Sequence, residues 1–342
     1  MNDGLTLEQR YRRALRLLPA YYRAQWEEDM VAAFMESSLA GDQDEDEYIT
    51  EFGSPSWPEL ASVASLAARL YLGGAGAPGR YFARGQAVRN AVLAVMLIHA
   101  LRGIGRLVAL ASSRGLIGWL PPPASVQGGI WPTVWYIVGD LWIVSFFALV
   151  LGHFRIARAI AALAIVPGLA ALLESQLGGT TQPLYEAWAY WVLLCLVPVL
   201  AMAAFHQDAP PVAHRPWLLA LPVSWLLVPL PVLVLDAAGR SAWVPDFPGL
   251  CCLLAAVACL AHTPRAASRK NTGSGAWSLA LMLLAVVAAA FRVVSLAGYP
   301  MDPHLVQVGL GELAILLVAA ALVAPDAARA AGSPSPQRLR LG

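Results

Sequence analysis

Six ionisable side chains interrupt long apolar runs of this sequence: His99, Arg102, Arg106, Asp140, Arg292 and Glu312. Groups of these types in apolar surroundings can pair as ions, hold a ligand or an ion, or relay a proton. At about 100° per residue, His99 and Arg106 fall almost in line and Arg102 lies about 60° away, so all three share one helix face. The cysteines point to no chemistry. Cys195, Cys251, Cys252 and Cys259 sit inside apolar runs, without a CxxC pair and without His or Asp at ligand spacing. They read as small buried hydrophobes, and no metal is expected. Neither HExxH nor GxSxG occurs, and the Gly-rich run Gly73–Gly79 (GGAGAPG) lacks the strand before it and the Lys–Ser/Thr after it of a phosphate loop. The expectation is therefore no enzyme and no cofactor.

The elements that must position these groups follow from composition. Of 342 residues, 58% are hydrophobic and 13% charged, against about 25% charged in soluble domains. Residues 1–86 carry 8 basic and 13 acidic side chains, the remainder 15 and 9, so an acidic segment precedes a basic, apolar one. A single lysine, Lys270, against 22 arginines, with abundant Ala, Gly and Pro, suggests a GC-rich bacterial genome. Crossing ~30 Å of hydrocarbon takes about 20 apolar residues. Eight spans are expected, near 90–111, 131–152, 157–174, 185–205, 217–236, 247–262, 276–297 and 304–324. The fold class is thus all-α: a polytopic membrane bundle over 87–324, with a disordered cytoplasmic tail at 325–342.

Charge placement orients the bundle. With the N-terminus inside, the cytoplasmic side carries Arg155, Arg158, Arg215, Arg265, Arg269, Lys270, Arg329, Arg338 and Arg340, and the external loops only Arg114 and Arg240. Positive residues favour the cytoplasm, so both termini are expected there. No secretory signal precedes the first span, which predicts a cytoplasmic N-terminal segment in a bacterial inner membrane protein. Trp131, Trp135, Trp188, Trp191, Trp217 and Tyr299 flank the spans as interfacial aromatics do. Arg102 and Asp140 each lie nine residues from the outer ends of their spans, at equal depth on straight helices, which predicts that they pair. Arg292 and Glu312, on the last two spans, are a second expected pair. These charges read either as structural ion pairs or as an outer-half polar pocket for a ligand of unknown identity, with a proton relay through His99 a third reading.

Residues 1–72 form an expected small, acidic, cytoplasmic three-helix domain, with 73–86 as its Gly-rich linker to the membrane. Leu7, Tyr11, Leu15 and Leu18 recur at helical spacing, and Pro19 divides them from a second helix with Tyr22, Trp26, Met30, Ala33 and Phe34 on one side. An acidic link, Asp42–Glu47, leads to a short helical turn through Tyr48, Ile49 and Phe52, ended by Gly53. Ser56 can cap a third helix with Leu60, Val63, Ala64, Ala67 and Leu70 as its stripe. Arg12, Arg16, Tyr22 and Trp26 are the candidate contacts for a protein partner. Lipid head groups are a second destination for the N-terminal arginines, and the acidity of the whole segment argues against direct binding of nucleic acid.

The segments YRRALRLLPAYYRAQWEEDMVAAFMES (Tyr11–Ser37) and DEYITEFGSPSWPELASVA (Asp46–Ala64) resemble the N-terminal module of bacterial multi-pass membrane proteins carrying a HAAS-type α-helical signalling domain. The resemblance covers about residues 8–72 and includes no residue that does chemistry. It implies a partner, commonly a PadR-type transcriptional regulator and sometimes an alternative sigma factor. A regulatory or sensory membrane protein, whose helical module binds a cytoplasmic regulator or a sister membrane subunit, is therefore expected. The alternative is a transporter or permease subunit using the outer-half pocket.

Overall fold

The computed structural model describes residues 5–39, 43–74, 77–117, 130–177, 188, 190–206, 209–240, 244–268, 273–298 and 303–332. All regular structure among them is helical. The chain divides into two compact units, one reaching from the N-terminus to Gly85 and one from Gln86 to Ser333.

The first unit holds α1 (Leu7–Leu15), α2 (Ala20–Ser38), α3 (Gln43–Phe52) and α4 (Trp57–Tyr71). A capping box starts α1: the Gln9 N–H donates to Thr6 Oγ1, and the Thr6 N–H donates to Gln9 Oε1. Leu7, Tyr11, Leu15 and Leu18 then point into a core completed by Val31, Phe34, Val63, Ala67 and Leu70, with the Tyr11 and Phe34 rings stacked at 4.0 Å. A second box, Ser56 with Glu59, starts α4. Its end is turned by Gly73, at φ +85°, while the Gly74 N–H donates to the Arg69 carbonyl. The side chain of Arg10 ties α3 down by donating to the carbonyls of Phe52 and Gly53.

Four expectations for this region are corrected. The unit has four helices where three are expected, because the acidic link is already helical from Gln43 in α3. Trp26 is 43% exposed and Ala33 is exposed, because α2 buries the line through Val31 and Phe34. Trp26 lies roughly 110° from that line at 100° per residue. On α4, Ala64 is exposed and Leu60 half-buried, leaving Val63, Ala67 and Leu70 to face the core. The linker expected to run to residue 86 gives way to helix at Gly79, where α5 (Gly79–Ser113) begins. The cause is Tyr81, buried 5.4 Å from Tyr21 and 5.7 Å from Tyr71.

The second unit continues α5 and adds α6 (Ile130–Gly139), α7 (Trp142–Val150) and α8 (Phe154–Leu177). Then come α9 (Tyr190–Ala204), α10 (His214–Leu227), α11 (Pro229–Ala237), α12 (Phe247–Ser268), α13 (Gly273–Gly298) and α14 (Pro303–Gly332). Five helical stretches are long and apolar enough to cross a membrane: Gly79–Ser113, Thr133–Val150, Phe154–Glu174, Gly275–Ala297 and Pro303–Gly332. This is the make-up of a helical membrane bundle. Tyr190–Ala204 and Phe247–Thr263 are apolar but shorter, and the span expected at 217–236 is divided at Val228, where Pro229 and Pro231 remove backbone donors from the ladder. The tail expected from 325 is instead helical to Gly332, its alanines being the strongest helix formers. Asp42, Arg269, Lys270, Tyr299, Arg338 and Arg340 lie outside the described residues, as does the side chain of Trp131.

Packing sorts side chains by size. Between α12, α13 and α14 lie Cys252, Ala256, Cys259, Ala285, Ala288, Leu316, Ala319 and Val323, while Val257, Val286, Leu317, Val318 and Leu322 point outward and exposed. Small residues inside bring backbones close, and a large apolar exterior suits lipid. All four cysteines are free and buried. Around α5, α7, α8 and α9 a second core gathers Met96, Ala100, Phe146, Leu149, Ala157, Ala161, Cys195 and Met202.

Candidate functional site

The polar residues of α5 face a cavity of about 290 Å³ enclosed by α5, α6, α7, α8 and α9. His99 forms its inner wall. Its ring is stacked on Trp142 at 4.3 Å and meets Tyr190 edge-on at 6.2 Å. His99 Nε2 lies 2.6 Å from the Leu194 carbonyl, and a carbonyl only accepts, so Nε2 carries the proton. That carbonyl needs an outside donor. Residues Tyr190–Leu196 wind as a π-helix, and residue 198, which would donate to Leu194 in an α-helix, is a proline.

Arg102 and Asp140 do not pair as their equal depth predicts. Asp140 bonds instead with Arg106, Nε to Oδ1 at 3.4 Å. The helices are not straight here: α6 stops at Gly139 and α7 starts at Trp142, leaving Asp140 in the turn between them. Gly103 lets α7 approach, since a Cβ there would lie 3.0 Å from Ile143 and 3.6 Å from Asp140 Oδ1. Asp140 is 4% exposed, and its Oδ2 is buried without a hydrogen-bond partner. Arg102 is held over two aromatic faces, 4.7 Å from the centroids of Tyr190 and Phe247, an attraction between cation and ring quadrupole. It has no carboxylate partner among the described residues.

A second constellation joins α12, α13 and α14. Buried Arg292 donates from Nη1 to both oxygens of Asp246, each at 2.7 Å, and its Nη2 lies 2.6 Å from Glu312. Arg292 and Glu312 thus meet, with Asp246 as a third member that the span-based reading missed. Its signal is the run Asp246-Phe247-Pro248-Gly249, an N-cap ahead of an apolar helix. Accordingly the Gly249 N–H donates to Asp246 Oδ1 at 2.9 Å. Two glycines make the room: a Cβ on Gly249 would collide with the Glu312 carboxylate, and one on Gly309 would lie 2.8 Å from the Arg292 guanidinium.

In the first unit the partner candidates fare differently. Arg12 is engaged inside the unit, bidentate to Glu28 at 2.7 and 2.8 Å and 2.9 Å from Glu8. The hydrogen bonds to Glu28 and then Glu8 raise its pKa further, and the same bond holds the Glu28 carboxyl below its ordinary value. Arg16 is exposed, Tyr22 is half-buried, and the Tyr22 and Trp26 rings lie 6.5 Å apart. More prominent are Tyr48, Phe52 and Trp57, at 67%, 45% and 84% exposure.

No group of three or more His, Cys, Asp or Glu side chains is placed to hold a metal among the described residues. No family model, curated protein or solved structure matches the chain.

Proposed function

We propose that this is a regulatory or sensory membrane protein: eight spans with both termini in the cytoplasm of a bacterial inner membrane, and a HAAS-like helical unit that binds a cytoplasmic regulator or a sister membrane subunit. One observation carries this reading. The first unit sets no catalytic grouping among its described residues, yet exposes Tyr48, Phe52 and Trp57 within one short stretch. Exposed aromatics are costly in water and typical of the centre of protein interfaces. The test is cross-linking and co-purification of the tagged full-length chain from its native membrane, beside a Tyr48→Ser/Phe52→Ser/Trp57→Ser variant. A DNA-binding regulator or membrane subunit lost from the variant supports the reading. The same set of proteins on both chains refutes it. A C-terminal reporter active only outside the cytoplasm would overturn the topology.

The cavity favours a second reading, a transporter or permease subunit. Transporters built from repeats place broken helices at corresponding positions of their halves. Here the breaks fall at Asp140–Leu141 and at Val228, in the second and fifth expected spans, which do not correspond in a four-plus-four arrangement.

A further inference from the structure

We infer that the cavity between α5 and α9 binds a small aromatic carboxylate, its carboxylate on Arg102 and a hydrogen-bond donor of the ligand on the Asp140 carboxylate. The inference goes beyond the regulatory reading and does not depend on which partner the helical unit takes.

Charge comes first. Among the described residues, the ionisable groups lining the cavity are Arg102, Arg106, Asp140, His99 and Tyr190. Of the charged side chains in that lining, two guanidinium groups face one carboxylate, which leaves one positive charge over within the cavity. Arg106 is the arginine bonded to Asp140, so the surplus sits on Arg102, whose contacts are two ring faces. An unbalanced charge at membrane depth is costly. A carboxylate ligand supplies the single negative charge that balances it and matches the guanidinium fork. A phosphate monoester, at about −1.5 to −2, brings too much.

The second observation is independent of the first. Asp140 is 4% exposed, lines the same cavity, and keeps Oδ2 buried without a partner. An acceptor left in that state costs about 1–3 kcal/mol or more for a charged group, so a carboxylate that turns toward an occupant carrying an O–H or N–H gains a partner. His99 cannot fill that place, because its Nε2–H is spent on Leu194.

Size and walls set the rest. About 290 Å³ is at the small end of ligand pockets, room for a compact organic acid rather than a lone ion. Trp135, Trp142, Tyr190 and Trp191 contribute aromatic surface, which favours a flat apolar body between the two polar contacts.

The test uses the purified full-length protein and isothermal titration calorimetry with three probes: 4-hydroxybenzoate, benzoate and 4-hydroxybenzamide. The first has both the anion and the donor, the second lacks the donor, and the third lacks the charge. We expect 4-hydroxybenzoate to bind about tenfold or more tighter than the amide and about fivefold tighter than benzoate. Arg102→Gln should erase the preference over the amide. It orphans no carboxylate, so its elution should match the parent and its thermal unfolding should fall only by the lost cation–ring contacts. Asp140→Ala, which removes the acceptor, should erase the preference over benzoate. Should that variant misfold, the comparison of the first two probes on the parent chain still decides the point. Equal binding of acid and amide, an anion preference that survives Arg102→Gln, or no binding of any probe overturns the inference. Titration in phosphatidylcholine and in phosphatidylglycerol nanodiscs should agree. Loss of binding in the anionic lipid would assign the arginine to a lipid phosphate and overturn it too.

Discussion

The Arg292 triad makes an asymmetric prediction, because one cation serves two carboxylates. Arg292→Leu leaves Asp246 and Glu312 facing each other without a counter-charge. Removing one partner of a buried pair costs about 3–5 kcal/mol, and this removal strips two. Glu312→Leu is milder: Arg292 keeps both contacts to Asp246 at 2.7 Å, so the loss is one ion contact that orphans no charge, below the about 3–5 kcal/mol of a stripped pair. The double variant, Arg292→Leu with Glu312→Leu, leaves only Asp246. That side chain is 33% exposed and keeps its bond from the Gly249 N–H, so water and the α12 terminus can carry it. The double variant should therefore be more stable than Arg292→Leu alone, by about 1 kcal/mol or more. Unfolding in mixed micelles by graded addition of SDS, followed by helical circular dichroism, measures all three. If Glu312→Leu costs as much as Arg292→Leu, or if the double variant loses the sum of the two, the reasoning from a shared cation fails.

Further outcomes follow from close approaches and partners. Gly249→Ala should cost about 1–3 kcal/mol in the same assay, since the Glu312 carboxylate it meets is pinned by Arg292; adding Glu312→Ala should return part of the loss. A double-mutant cycle on membrane accumulation should couple Asp140 to Arg106 more strongly than to Arg102, and equal coupling would reject the assignment of the pair. In residues 5–85 expressed alone, Tyr11→Ala should cost about 3–5 kcal/mol, and Trp26→Ala, at 43% exposure, about 0.5 kcal/mol; denaturant titration that reverses this order refutes the core described above. The Glu28 carboxyl is held below its ordinary value by Arg12, so its contribution is complete above the ordinary carboxylate pKa and is lost as pH falls through that range to the lowered one. Denaturation midpoints of the 5–85 fragment between roughly pH 6 and pH 3 should fall less steeply in Glu28→Gln, and an unchanged slope would count against the pair.

Much of this architecture can be read from residue order, because hydropathy and capping are local. The long helices around 90–111, 157–174, 276–297 and 304–324 follow from runs of apolar residues, and the cap at Ser56 from its Glu59 three places on. What could not be read depends on where helices stop being straight or on residues far apart in the chain. Equal counting depth placed Asp140 opposite Arg102 only for an unbroken second helix, and the turn at Asp140–Leu141 removes that premise. The aromatic cradle of Arg102 joins positions 102, 190 and 247, a combination with no periodicity to announce it. Trp26 was misplaced because a large apolar residue on a helix is assumed to define its buried face, whereas Val31 and Phe34 do so here. Asp246 was legible as a cap but not as an ion partner, since it precedes the span rather than interrupting it.

The π-helical segment Tyr190–Leu196 has a consequence for how α9 tolerates changes in length. A wide turn holds one residue more than an α-turn needs, so the helix stores a phase offset between its two ends. Deleting a single residue there would let the backbone relax to ordinary winding, its ladder broken only where Pro198 lacks a donor, where a deletion in α8 or α13 would rotate one whole end of the helix against its neighbours. That relaxation would carry Tyr190 and Trp191 around the axis relative to Met202, away from His99 and Arg102. The segment therefore acts as a slack loop in a wound spring, and the aromatic wall stays where it is only while the slack is kept.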